Sequence, residues 1–504
     1  MCIRDSYEHR VEALLETLRR PPHGSGDTTS GPARALALRR NAARPRMIVF
    51  SGYYGAGNRG DELLLDALVG HLETALPDLV PVVAGSKPAV VEREHGIQSF
   101  ARADLDAAEF YAAHASSMVL GPGGHWHDYS IHLAGGAAGI ARGARVSPAH
   151  LAQLPLLVAS YGATVHIHGM GVGPLDDSAA RAAVHLTGSL ASSITVRDQE
   201  SAALLEPLCH RWPADVVVSP DVVYGLPLPA PPQEPAVGER RRLAVNLRPW
   251  SDSPEQRHRL HRTIIDHADR HHLDIVGVPM QATDVPVLAA LAAEAAGQVK
   301  VDVLPADMPL PALLDVLRGS AGLVAMRLHA SLLMHRLRRS AVGLVYDPKV
   351  GSHFGQLDRT AWAMGLDADA QTLIDALERL DGEPAMDPRS TEILDGLETA
   401  ARRQLEEFAA LLHAEPVRTP DPGWIHHRAP AQPARRTSKR PEATESSAPV
   451  STGQPPQEPL PPAAPQPSTR KTVRWGLARV ARGVRRRLRG LVSAADQRTR
   501  FSRH

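Results

Sequence analysis

The chain has 504 residues, 43% of them apolar, with 43 prolines, 39 glycines and a formal net charge of +1. That length is too great for one small core and calls for two to three domains with tails, while the near-zero net charge leaves any polyanionic partner to local charge. Only Cys2 and Cys209 are present, which excludes a disulfide framework or a cysteine zinc site and fits a reducing compartment.

No apolar run is long enough to span a bilayer, and the N-terminus lacks the pattern of a secretory signal, so a cytoplasmic protein is expected. Residues 7–20, YEHRVEALLETLRR, have the apolar spacing of one short helix, and PPHGSGDTTSGPAR reads as linker. Residues 1–46 are thus a helix and its linker. From Met47 short apolar runs alternate with helical stretches: MIVF, LVPVVAG, SMVLGPGG, TVHIHGMGVG, ITVRD and DVVVSPDVV. Continuous rather than alternating hydrophobicity is what strands covered on both faces require, so residues 47–225 form a parallel sheet wrapped by helices. Residues 226–242 are rich in proline and charge and read as a linker. A second series over 243–414, namely LAVNLRPW, LDIVGVPM, VKVDVLP, AGLVAMRLHA and SAVGLVYDP, repeats the pattern. The expected fold is α/β, with two doubly wound, Rossmann-like halves facing across a cleft at the carboxyl ends of their strands. Residues 415–469 are dominated by Pro, Ala, Ser and charge and are expected to be disordered.

The turn SGYYGAGNRGDELLLDAL, residues 51–68, leads from a strand into a helix through Gly52, Gly55, Gly57 and Gly60. Strand, glycine turn and helix together present backbone N–H groups and a positive helix end to an anion. The spacing is neither the dinucleotide fingerprint nor a P-loop, so no NAD or ATP is expected. Asp61 and Glu62 also suit the helix macrodipole. Two further glycine turns are expected at GPGGHWHD (121–128) and HGMGVGPL (168–175), and the three would form one wall of the cleft. The facing half supplies charge at strand ends: Arg248 in NLRP, Arg327 and His329 in MRLHA, and Asp347 and Lys349 in YDPKV. Arginine forks, a lysine point charge and an imidazole suit a small anion bearing both carboxylate and phosphate. Left without such a ligand, these cations would repel one another across the cleft.

These segments, with ITVRDQESAALL, SPDVVY and PMQATD, stand in the order and spacing of the polysaccharide pyruvyl transferases, and the chain resembles that family from about residue 47 to 380. The resemblance implies a fold similar to two-domain glycosyltransferases of the B type. It also implies transfer of pyruvate from phosphoenolpyruvate, as a ketal, to two hydroxyls of a sugar in a cell-surface polysaccharide precursor. Arg248, Arg327 and His329 match donor-site positions of the family. With them, Lys349 would assist phosphate departure and His329 would donate the proton. Gly55, Gly57, Asn58, Gly60, Asp61, Gly123, Gly124 and His125 would shape the acceptor side. His125, Trp126 and His127 depart from the small or apolar residues expected there. Phosphoenolpyruvate is a co-substrate, and no cofactor is implied.

The pairs HWH (125–127) and HIH (166–168) each put two imidazoles on one side of an extended segment, as a metal site would need. Chance pairs are expected among 25 histidines, so no metal is assigned. Two other functions fit the same pattern: a nucleotide-sugar-dependent glycosyltransferase of similar fold, and a non-catalytic anion-binding scaffold.

In residues 470–492 six apolar residues from Val473 to Leu491 recur at steps of three or four among nine arginines and lysines. Such a basic amphipathic helix suits an anionic membrane surface rather than a specific nucleic acid, and a lipid-linked acceptor would give it a purpose. Each basic residue near an anionic surface is worth about 1 kcal/mol, so binding should be salt-sensitive. Truncation after residue 415 should leave activity on a soluble acceptor intact and abolish sedimentation with anionic vesicles. Equal sedimentation of the truncated and full-length proteins would exclude the anchor.

Overall fold

The computed structural model describes residues 45–128, 147–228, 241–250 and 253–418. The helix expected at 7–20, the middle of the 226–242 linker and the tail beyond 418 lie outside the described residues, which all fall in one unit, Met1–Pro430. The first sheet contains β1 (Arg46–Ser51), β2 (Leu79–Gly85), β3 (Gln98–Ala101), β4 (Ser117–Leu120), β5 (Gly123–Trp126), β6 (Thr164–Val172), β7 (Ala191–Val196) and β8 (Val216–Val218). Its order is β3-β2-β1-β4-β6-β7-β8, with β5 joined to β6, and every pair is parallel. The second contains β9 (Arg242–Asn246), β10 (Asp274–Gly277), β11 (Val301–Val303), β12 (Ser320–Ala325), β13 (Ala341–Val345) and β14 (Ala363–Gly365), ordered β11-β10-β9-β12-β13-β14 and again parallel throughout.

The apolar runs explain the sheets. All residues of β2, β4 and β12 are buried, as strands sandwiched between helix layers must be. In both sheets the order reverses beside the first strand, between β1 and β4 and between β9 and β12. Chains leaving adjacent strands in opposite directions open a crevice there. The glycine turn follows β1, Arg248 follows β9, and Arg327 follows β12, so topology brings them to the two switch points.

Two of the three expected glycine turns are partly strand. His168–Val172 continues β6, and Gly123–Trp126 forms β5 alongside it. Their glycines make room instead: a β-carbon at Gly171 would lie 2.6 Å from Arg197 Nη2. Strands β3, β5 and β14 have only three or four residues and no continuous apolar run, which is why periodicity does not reveal them.

The last helix, Pro388–Ala414, returns to the first half. Its Phe408 ring stacks on His168 at 4.1 Å and meets His166 edge-on at 5.5 Å, while His166 Nε2 lies 3.0 Å from Glu415 Oε1. The HIH pair therefore packs a helix. Gly225 leaves space for the same helix, since a β-carbon there would lie 2.8 Å from Leu405 Cδ1. Arg46, buried at the start of β1, donates from Nη1 to Leu412 O at 2.6 Å and Glu415 O at 2.9 Å. Contacts continue past the helix, with Arg418 N donating to Ser116 Oγ at 3.2 Å.

Replacing Arg46 with Met leaves those helix-end carbonyls without their donor in a buried place, a loss of about 1–3 kcal/mol. Urea denaturation of Arg46→Met should show it as an earlier midpoint; an unchanged midpoint would mean the returning helix does not depend on this cap.

Candidate active site

The glycine turn after β1 is closed by its own helix. Gly55 and Gly57 adopt φ values of 70° and 71°, open to glycine, and their N–H groups donate to Glu62 Oε1 at 3.0 and 3.3 Å. His95 Nε2 stands 3.1 Å from Glu62 Oε2, and although burial opposes its charge, hydrogen bonds with Asp66 and Glu62 push its pKa up to about 10. These amides are therefore not open to a ligand, contrary to the sequence expectation. The anion they hold is Glu62, one turn along. Asn58 caps the helix Arg59–Ala75, accepting from Gly60 N at 3.2 Å, and its amide donates to Asp61.

The same helix start is fastened to the second half. Arg59 N donates to Met280 O at 2.9 Å, and Arg59 Nη2 donates to Ala306 O at 2.9 Å. A β-carbon at Gly60 would lie 2.2 Å from His329 Nδ1. The imidazole thus packs directly on the backbone of the opposite half, in a space only glycine leaves.

His329 follows the N-cap Arg327 in the helix Leu328–Arg336, and its Nε2 lies 3.5 Å from Asp221 Oδ2. Asp221 follows β8 and accepts from Val223 N on Oδ1 at 3.0 Å, while Arg197 Nη1 lies 3.6 Å from the same Oδ2 that His329 approaches. Burial works to raise its pKa, but His329, Arg197 and the Val223 amide outweigh it and bring the carboxyl down to about 2. Asp61 follows Gly60, the residue on which the imidazole packs. Burial, assisted by Glu62 and opposed by His329, Lys349 and Arg197, pushes its pKa up to about 6. Two carboxylates that both interact with one imidazole are thus held far apart in acidity, a pattern typical of acid–base sites.

The expected donor cations reach this junction already partnered. Arg327 makes a two-pronged pair with the buried Asp284 (Nε to Oδ2 2.7 Å, Nη2 to Oδ1 2.6 Å) and donates from Nη2 to Gln281 Oε1 at 3.0 Å. Lys349 Nζ is 2.8 Å from Asp347 Oδ2. Arg248 lies over the Tyr346 ring at 4.6 Å and the Trp250 ring at 5.7 Å, and its Nη1 donates to Tyr346 Oη at 2.8 Å. Arg327 and Lys349 each have a carboxylate partner, whereas Arg248 has only the Tyr346 hydroxyl and two aromatic rings. Nη1 of Arg327 makes no hydrogen bond among the described residues.

On the acceptor side, a β-carbon at Gly123 would lie 2.3 Å from His125 Nε2 and 3.2 Å from Asp61 Oδ1, and one at Gly124 would lie 3.4 Å from Arg197 Nη2. His125 is buried, and its Nε2–H donates to Pro122 O at 3.0 Å. Burial takes its pKa down to about 3 and that of His127 to about 4, so both are neutral near pH 7. Behind Asp221 runs a buried line in which Tyr224 Oη is 3.0 Å from His353 Nδ1 and His353 Nε2 is 2.9 Å from His335 Nδ1. The hollow among Arg197, Asp221, Tyr224, Lys349 and His353 is about 20 Å³, room for one water, and beside it a cavity of about 550 Å³ lies between Arg197 and Glu200 on one side and Gly351 and Gln356 on the other.

Sequence reasoning missed Arg197, Asp221, Asp284 and His353 as individuals. The signal was available for two of them: Arg197 and Asp221 directly follow strand-forming runs in ITVRD and VVVSPD, the position at which Arg248 and Arg327 were noticed.

The whole of this junction except Lys349 and His353 falls inside a match to the polysaccharide pyruvyl transferase family, which spans residues 58–348 and well over half of the chain. The chain belongs to that family. Membership indicates pyruvyl transfer to polysaccharide. Among solved structures the chain is similar to the UDP-GlcNAc 2-epimerase from Methanocaldococcus jannaschii, with a TM-score of 0.50 and 8% identity over 73% of this chain and 99% of that one. It is also similar to a glycosyltransferase from Rickettsia africae, with a TM-score of 0.45 and 9% identity over 74% of this chain and 100% of that one. At such identity the epimerase likeness concerns the fold alone, and it agrees with the two-half, glycosyltransferase-B-like architecture. No curated protein matches the chain.

Asp61 generates a prediction whose sign is fixed. Its folded pKa of about 6 lies above the ordinary aspartate value, so the buried carboxylate lowers stability progressively as pH rises from that ordinary value to about 6 and fully above it. Asp61→Asn should therefore raise the Tm at pH 8 and leave it unchanged at pH 3.5. An equal shift at both pH values would show that ionisation is not the cause.

Proposed function

We propose that this family member transfers pyruvate from phosphoenolpyruvate, as a ketal, onto two hydroxyls of one sugar in a cell-surface polysaccharide precursor. The observation that carries the proposal is that His329 lies 3.5 Å from a strongly acidic carboxyl, Asp221, and packs on Gly60, next to a weakly acidic one, Asp61. Asp221 stays ionised and faces the imidazole from the Nε2 side. Nδ1, packed on Gly60, becomes the nitrogen that delivers a proton once the halves part for substrate.

In this proposal His329 protonates the methylene carbon of phosphoenolpyruvate, and positive charge develops at the adjacent carbon. A sugar hydroxyl attacks that carbon while Asp61 accepts its proton. The carbon–oxygen bond to phosphate then breaks, and a second hydroxyl closes the ketal with loss of its own proton. The products are the ketal and inorganic phosphate, so the acceptor gains pyruvate less one water. Arg248 and Arg327 hold the carboxylate and phosphate, and Lys349 assists phosphate departure. The Asp284 pair orients the Arg327 fork and leaves Nη1 for the ligand. Asn58, Gly60, Gly123 and Gly124 lie on the acceptor side with Asp61, and Gly55, Gly57 and His125 support that wall from behind. Phosphoenolpyruvate serves as co-substrate, and the steps require no resident cofactor.

No helix among the described residues is long and apolar enough to cross a membrane. We place the reaction at the inner face of the plasma membrane, on a lipid-linked acceptor, because the 470–492 sequence is basic and amphipathic.

Incubation with phosphoenolpyruvate and a panel of lipid- or nucleotide-linked sugars should release phosphate and add pyruvate less one water to one acceptor. His329→Asn should lower turnover by at least about 100-fold while a phosphoenolpyruvate-dependent rise in Tm persists, since a proton donor acts mainly in the transition state. Full turnover in that variant would remove His329 as the acid. A Tm raised by a nucleotide sugar and not by phosphoenolpyruvate would replace this proposal with a glycosyltransferase.

A further inference from the structure

The helix Pro254–Arg270 ends in a cluster of histidines on the side of the second half that the pyruvyl-transfer chemistry does not use. His267 in its last turn and His271 at its C-cap are four residues apart and share one face, with ring centroids 4.3 Å apart. Facing them on the helix Ala370–Gly382 are Glu378 and Asp381, three residues apart on a second shared face.

We propose that His267, His271 and Glu378 bind one divalent transition-metal ion, zinc by its preference for this nitrogen and oxygen set, as a clamp between these two helices. One ring nitrogen from each of His267 and His271 and a Glu378 carboxylate oxygen lie within 4.8 Å of one another. Glu378 Oε1 is 3.5 Å from His267 Nδ1 and 3.1 Å from His271 Nε2. Neighbouring ligands of a tetrahedral zinc ion, with bonds of about 2.0–2.1 Å, stand about 3.3–3.4 Å apart, so the ion fits with little movement. A water completes the fourth position.

Two further observations point to an ion rather than to chance histidines. The His267 side chain is 2% exposed, yet its Nδ1 makes no hydrogen bond, an arrangement that costs stability unless the lone pair is used. On the far side of the site His271 Nδ1 lies 2.9 Å from Asp381 Oδ2, and Asp381 Oδ1 in turn accepts from Arg241 Nη2 at 2.8 Å. Metal-binding imidazoles characteristically donate their second nitrogen to a carboxylate in this way. One cation already competes: Arg270 Nη1 lies 2.8 Å from Glu378 Oε1, but its side chain is 52% exposed and can release that oxygen to a divalent ion.

The test uses the full-length chain without a polyhistidine tag, stripped with chelator and titrated with Co²⁺ and then Zn²⁺. The wild type should take up a single equivalent of Co²⁺ with the visible bands of a four-coordinate site, lose them when Zn²⁺ is added, and gain in Tm with either ion. Glu378→Gln, a change at a half-exposed position, should abolish the bands. Asp381→Asn should weaken Co²⁺ binding 10- to 100-fold, as loss of such a supporting carboxylate typically does. Arg270→Gln should tighten binding by removing the competitor. Co²⁺ spectra and Zn²⁺ uptake identical in wild type and Glu378→Gln would overturn the proposal, as would a wild type that takes up neither ion.

Discussion

The contact on which the site depends is the packing of His329 against the backbone of Gly60. A β-carbon there would stand 2.2 Å from the imidazole, so the absence of a side chain lets one half of the protein seat a titratable ring on the helix start of the other. The Arg59 amide, bonded to Met280 O, fixes the same helix start at the next residue. Together they set the distances from His329 to Asp221 and to Asp61. Behind Asp221 only a hollow of about 20 Å³ remains, while a cavity of about 550 Å³ opens beside it between Arg197 and Ser219 of the first half and Gly351 and Gln356 of the second.

Charge is distributed with the same economy. Arg327 with Asp284, Lys349 with Asp347, and Glu62 with His95 are each settled locally, as groups withdrawn from water must be. Asp61 is the exception in the junction, desolvated, beside the like charge of Glu62, and only partly compensated by His329, Lys349 and Arg197. Asp221, equally buried, has an imidazole, a guanidinium and a backbone amide directed at it. The difference in acidity between these two aspartates comes from what surrounds them.

The returning helix connects this local chemistry to the whole molecule. Pro388–Ala414 follows the second sheet in sequence but packs on the first half through Leu405, Phe408 and the Arg46 cap. By passing back across the junction it limits how the two halves can part, and it gives the buried His166 and His168 their role as a packing surface.

The sequence by itself determined the two parallel sheets, because strands covered on both faces must be continuous apolar runs, and it placed Arg248, Arg327, His329 and Lys349 at strand ends. It also marked Gly55, Gly57 and Gly60 as positions where a side chain would intrude; at Gly57 a β-carbon would meet nothing within 4 Å, and only its φ of 71° favours glycine. Packing decided what lies against the other two. Glu62 turned back onto the Gly55 and Gly57 amides, and His329 came to Gly60 from 269 positions along the chain. Partners such as Asp284 for Arg327 or Asp221 for His329 are contacts between separate segments, and no local pattern encodes them. The short strands β3, β5 and β14 went unseen for a related reason: their pairing is supplied by neighbours in the sheet rather than by their own periodicity. Residue type and local spacing fix which groups are available at a strand end; only the packing of distant segments fixes which of them meet, and therefore which are ionised.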